Sequence, residues 1–348
     1  MLNDRVEGRW LAAFRDTFAL SAITAAERVV ILSETQSRPL NVELARLALE
    51  QLGVAPLTLV VPTPPQRAPV PIRSTGASQA LNGQPTALAA LTAATVVIDL
   101  TVEGLLHAPQ LPDILAAGAR VVMVSNEHPD ALERLVPRAE DEQPVKAAMK
   151  RCRDARVMRV ASAAGSDLEI DLGDARTGGV WGFSSRPGTV THWPGGIVVN
   201  FPRAGAVNGH LVLDVGDINL TFKRYLTSRV TLVIENDFVV AIEGQGTDAE
   251  LLRRYFAAWG DREAYGVSHV GWGLNERARY EALAMYDQRD TNGTELRAFA
   301  GNFLYSTGAN EFAGRFTQGH FDLPVRNCTI TLDDEVVVDA GQLRAARA

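Results

Sequence analysis

The chain has 348 residues, 46% of them hydrophobic, and a net charge of -7. That length suggests one large or two ordinary domains, and the apolar fraction is enough for a core and too high for a disordered chain. No Lys/Arg block is present, which argues against nucleic acid and anionic membrane as partners, and two cysteines, Cys152 and Cys328, exclude a disulfide framework or a Cys-rich zinc site. The first seven residues are charged and lack the apolar core of a signal peptide, and no apolar run reaches the ~18 residues a membrane span needs, so a cytoplasmic protein is expected.

In chain order, residues 9–20 place Trp10, Leu11, Phe14 and Phe18 at helical spacing. Residues 28–32 form a short β-branched run that predicts a buried strand. Asn41 is a candidate cap for a helix through Leu49, closed by Gly53. Residues 57–61 predict the next strand, the Pro-rich residues 62–71 a loop. A helix near 86–93 leads into a strand over 95–100, and a helix near 110–117 into a strand over 120–124. The βαβα alternation predicts an α/β unit, a doubly wound parallel sheet, over residues 1–155. No G-x-G-x-x-G follows the first strand, so this half implies no nucleotide. A charged helical segment, 141–155, leads into the second half.

From residue 156 glycine and strand signals dominate, at 168–172, 197–200, 210–214, 230–234 and 239–242, with Asn236-Asp237 as a hairpin turn. Helices are predicted over 248–259 and 275–285, and strands near 327–332 and 335–339 around Asp333-Asp334. Residues 156–348 thus read as a β-rich α+β domain, mixed or antiparallel, with a few helices.

The chemistry centres on Gly319-His320-Phe321-Asp322-Leu323-Pro324. If this segment is extended, the side chains of His320 and Asp322 leave one face. With His269, from the glycine-flanked run Gly266-Val267-Ser268-His269-Val270-Gly271-Trp272-Gly273, they would form a two-His, one-carboxylate set. Non-haem Fe(II) and catalytic zinc both accept that set, and spacing does not decide between them. His192 and His107 are candidate acid/base groups, since imidazole titrates near neutrality. His210 reads as structural, His128 as a loop residue at a helix start, and Asp214 and Asp217 as turn residues or as support behind a metal site. There is no G-x-S-x-G elbow and no H-E-x-x-H helix, which argues against serine-hydrolase and zincin chemistry.

Several segments together resemble the 2,5-dihydroxypyridine 5,6-dioxygenase family: Ala164-Gly165-Ser166-Asp167, His192-Trp193-Pro194, residues 211–218, 265–274 and 301–308, and the closing run 320–328. That family is in turn similar in fold to the M29 (aminopeptidase T) metallopeptidases. The resemblance implies an Fe(II) ligand set of His269, His320 and Asp322, a substrate-contacting Ser306, His192 in the acid/base region and His107 on a mobile segment. It implies ring cleavage of a hydroxylated N-heterocycle with O₂, 2,5-dihydroxypyridine to N-formylmaleamic acid or a close analogue, in a homo-oligomer, a hexamer in the family. One departure concerns the substrate side: a family glutamate twelve residues before His192 is Val180 here, and Glu169 or Asp174 could substitute for it in space. Two other readings stand beside this one: an M29-type hydrolase with two carboxylate-bridged metals, and a ligand-binding relative that has lost its chemistry at Val180.

Overall fold

The structure is a computed structural model and describes residues 4–65 and 78–344. The predicted loop over 62–71 therefore lies outside the described residues from position 66 onward. In the first half, strands Val29–Glu34, Leu57–Val61, Val96–Leu100 and Arg120–Val124 pair in parallel. The first, third and fourth are almost wholly buried apolar runs because both faces are covered. Val29, Ile31, Val96, Ile98, Val122 and Val124 pack on helices Gly8–Leu20 and Pro39–Gln51. The alternate residues Val30, Leu32, Val97 and Val121 pack on helices Pro85–Ala93 and Leu111–Ala116. This is the doubly wound arrangement. Asn41 is not the cap of the second helix: the helix starts two residues earlier at Pro39, whose fixed φ suits a first turn, and the Asn41 amide donates to Glu127 O at 3.0 Å.

The chain returns to this sheet once. Val190–Trp193 adds in parallel beside Arg120–Val124, with His192 opposite Met123. We propose the division near residue 155 as the domain boundary, with this strand handed back to the first unit.

The second half is antiparallel. Besides a two-stranded ribbon, one sheet has eight strands, and the other has five in the spatial order Phe321–Val325, Phe303–Thr307, Val267–Gly273, Ile197–Phe201, Arg176–Val180. The two share a core in which Trp272, Phe303, Tyr305, Phe321 and Leu323 of the five-stranded sheet meet Met158, Leu168, Leu211 and Leu232 of the eight-stranded one. Each such side chain contributes about 1.5–3 kcal/mol by leaving water. Asn236 and Asp237 form the expected hairpin turn, both at positive φ. The helix predicted over 275–285 is reduced to Ala282–Met285. Upstream of it Asn275 makes a turn instead: its carbonyl oxygens accept from Arg277 N and Ala278 N, and its amide donates to Gly195 O at 2.9 Å.

Candidate active site

The five-stranded sheet builds the site by strand alternation. Val270 and Trp272 face the core, so His269 and Gly271 face away from it. Phe303 and Tyr305 face the core, so Leu304 and Ser306 face away; Phe321 and Leu323 do the same for His320 and Asp322. Register then sets His269 opposite Ser306 and Ser306 opposite Asp322, one row across three strands. Gly271 is required there, because a Cβ would run into the backbone of Val198 on the next strand. Tyr255 OH donates to the carbonyl of His320 at 2.7 Å and fixes that residue where its strand begins.

The first half closes over this row. The loop after Val96–Leu100 brings the His107 ring to 4.6 Å from the His320 ring and to 6.0 Å from that of His269, the latter pair stacked. One ring nitrogen each of His107, His269 and His320 lies within 4.8 Å of the others. Asp322 Oδ1 is 3.2 Å from His320 Nε2 and 4.0 Å from His269 Nε2. The Ser306 hydroxyl hydrogen-bonds the same oxygen, and Arg297 Nε donates to Oδ2 at 2.5 Å.

Burial pulls the His269 imidazole down to about 3, and burial, with His320 and His269 nearby, takes His107 well below its ordinary value. Burial alone would push the Asp322 carboxyl up, but the Arg297 guanidinium, with His320 and His269, holds it well below the usual carboxylate range. Neutral imidazoles beside an ionised carboxylate are the protonation states a divalent cation requires of its ligands. The Nδ1 atoms of His269 and His320 are buried without a hydrogen-bond partner among the described residues, as in a site that takes a further ligand. On this donor chemistry the residues fit a metal ion.

These groups line a cavity of about 390 Å³, the size for one small ring. His192 enters it from the first sheet, while its neighbour Trp193 turns into the core. His192 Nδ1 lies 2.6 Å from Pro194 O and donates to it, which leaves Nε2 as the acceptor. Burial lowers this imidazole to about 4, against the Pro194 hydrogen bond that raises it. Val180, Val190, Ile197, Val199 and Leu304 make an apolar wall.

The structure thus brings His107, His192, His269, His320, Asp322 and Val180 to one cavity. Ser306 is fully buried behind Asp322, its hydroxyl committed to that carboxylate. Glu169 pairs with Arg159 on the outside of the eight-stranded sheet, and Asp174 lies in an exposed turn, so neither stands in for a carboxylate at Val180. Sequence reasoning passed over Arg297, Glu103 and Glu311, all of which line the cavity. Arg297 sits on a five-residue helix with no pattern of its own, and only the tertiary pairing with Asp322 reveals it.

A buried, histidine-rich, one-ring pocket between a doubly wound unit and an antiparallel sheet defines a small-molecule α/β enzyme. The chain belongs to the 2,5-dihydroxypyridine 5,6-dioxygenase family, NicX, whose pattern it matches over residues 9–345. It is therefore an oxygenase of that family. It is 38% identical over 336 residues to the 2,5-dihydroxypyridine 5,6-dioxygenase of Pseudomonas putida KT2440, covering 95% of each chain. It is similar to the solved structure of 2,5-dihydroxypyridine dioxygenase from the same strain, with TM-score 0.92 and 36% identity over 100% of this chain and 99% of that one. AmpT from Thermus thermophilus shares the fold, with TM-score 0.65 and 12% identity over 97% and 99% of the two chains.

Proposed function

We propose that the chain cleaves the ring of 2,5-dihydroxypyridine, or a close hydroxylated N-heterocycle, with O₂ to give N-formylmaleamic acid or its analogue, and that it does so with one Fe(II). The observation that carries this reading is the row His269, Ser306, Asp322, with His320, in a one-ring cavity of a family member. His269, His320 and Asp322 would hold the metal. The chemistry a bound Fe(II) supplies at such a set is joint activation of O₂ and an electron-rich ring.

The chain's own residues do the rest. His192 Nε2 takes a proton from a ring hydroxyl, its tautomer held by Pro194 O. His107 closes the cavity over the histidine row and gives a second polar contact to the ring. Arg297 keeps Asp322 ionised, and Ser306 orients it from behind. Val180 and its apolar neighbours exclude water from the ring edge away from the histidines. That wall supports a substrate with no ionised group on this edge. The substrates are the ring and O₂. Cytoplasmic location and a homo-oligomeric, hexameric assembly belong to the same proposal; among the described residues no helix is long and apolar enough to cross a membrane.

Anaerobic loading with Fe(II), followed by O₂ uptake with 2,5-dihydroxypyridine and hydroxylated relatives, tests this. One O₂ consumed per ring opened is expected. No uptake with any of them, by protein that retains its iron, refutes the reading.

A further inference from the structure

Asp99 is fully buried at the end of Val96–Leu100, the middle strand of the parallel sheet, and no role above uses it. Both of its oxygens accept from the loop that follows. Oδ1 accepts from Thr101 N at 3.0 Å and from Thr101 Oγ1 at 2.7 Å, and Oδ2 from Leu105 N at 2.7 Å. Thr101 Oγ1 itself accepts from Gly104 N at 3.1 Å. From the adjacent strand, Glu34 Oε1 accepts from Val102 N at 3.2 Å and from Ser78 Oγ at 3.3 Å. Ser78 N closes the set on Gly104 O at 3.0 Å. Four consecutive or nearly consecutive loop N–H groups are thereby held, three of them directly by two buried carboxylates.

Placing two carboxylates in one buried region is unfavourable. Burial pushes the Asp99 carboxyl up to about 6, the Thr101 and Leu105 hydrogen bonds oppose the rise, and Glu34 adds to it. A loop that only had to stay folded could be tied by neutral groups. This loop carries His107, two residues beyond Leu105, onto the rings of His269 and His320. The ends of parallel strands are also where open α/β sheets place the loops that work.

We propose that Asp99, seconded by Glu34, is a positioning residue for His107. The two carboxylates fix the backbone of residues 101–105, and the imidazole stands over the histidine row as a consequence. This rests on the reading of His107 as a working group of the pocket.

The test is a double-mutant cycle of Asp99→Asn and His107→Ala, read as kcat/KM from O₂ uptake by the iron-loaded protein and, separately, as amide exchange of the metal-free protein. Asp99→Asn keeps the shape but sets an N–H donor against another donor. It is expected to lower kcat/KM roughly tenfold alone and by less than about twofold when His107 is already alanine. Amide exchange at Val102 and Leu105 is expected to accelerate in Asp99→Asn while the eight-stranded sheet stays protected. Additive losses in the cycle, or unchanged exchange at these amides, overturn the proposal. Faster exchange with full activity in His107→Ala keeps the carboxylates as the device that orders the loop and overturns the reading of His107 instead. Thr101→Val, which removes the hydroxyl between Asp99 and Gly104, carries the same cycle if Asp99→Asn does not fold.

Discussion

Asp322→Asn is expected to lose the bound metal and more than a hundredfold of activity while the two-sheet core stays folded. The carboxylate does two jobs. It faces both imidazoles through Oδ1, and it is the ion-pair partner of Arg297 through Oδ2. Losing a group that only supports a metal ligand already costs about 10- to 100-fold, so losing the ligand itself costs more. The variant also removes the carboxylate of a mostly buried ion pair with the Arg297 guanidinium, and breaking such a pair costs about 3–5 kcal/mol. His269→Ala separates the two effects, since in the proposed ligand set it removes a ligand and leaves the ion pair. Both variants are expected to bind no iron by metal analysis, and only Asp322→Asn is expected to unfold at clearly lower denaturant.

His192→Ala is expected to keep the metal and lose about 10²- to 10⁴-fold in kcat, the range for a positioned acid/base group. Its Nδ1 is committed to Pro194 O, so only Nε2 can work on the substrate. Burial lowers its pKa to about 4 from near 6.5. The base form therefore persists as pH falls from 7, and the acid limb of kcat/KM that belongs to this residue lies near 4. The same shift has a stability sign. The folded pKa lies below the unfolded one, so this contribution is present above 6.5 and is lost as pH falls toward 4. An unchanged rate in His192→Ala would remove it from the proton path.

The parallel unit was legible because strands buried on both faces are written as continuous apolar runs, such as Val29 to Leu32 and Val96 to Leu100. The strands of the site were harder to see for the opposite reason. In Val267–Gly273 the core face carries Val270 and Trp272, while the other carries His269, Gly271 and Gly273, and a bulge between Val267 and His269 breaks the period. Arg176–Val180 and Val190–Trp193 have no apolar pattern to read, and the second of them joins the first sheet by a long-range pairing that no local signal specifies. His320 and Asp322 were legible from their spacing once taken as extended. His269, His192 and His107 were candidates by residue type alone, and Ser306 gained its role from the family resemblance; the convergence of His269, Ser306 and Asp322 is a matter of register across strands. Arg297, Glu103 and Asp99 needed the folded chain, because what each does is defined by a partner or a surface distant in sequence.

The most direct test of the account is an anomalous difference map at the iron edge, from crystals loaded anaerobically with Fe(II). A single peak bounded by His269, His320 and Asp322 is expected. A peak bounded by His107, His269 and His320 with Asp322 still on Arg297, or two peaks bridged by a carboxylate, would contradict it.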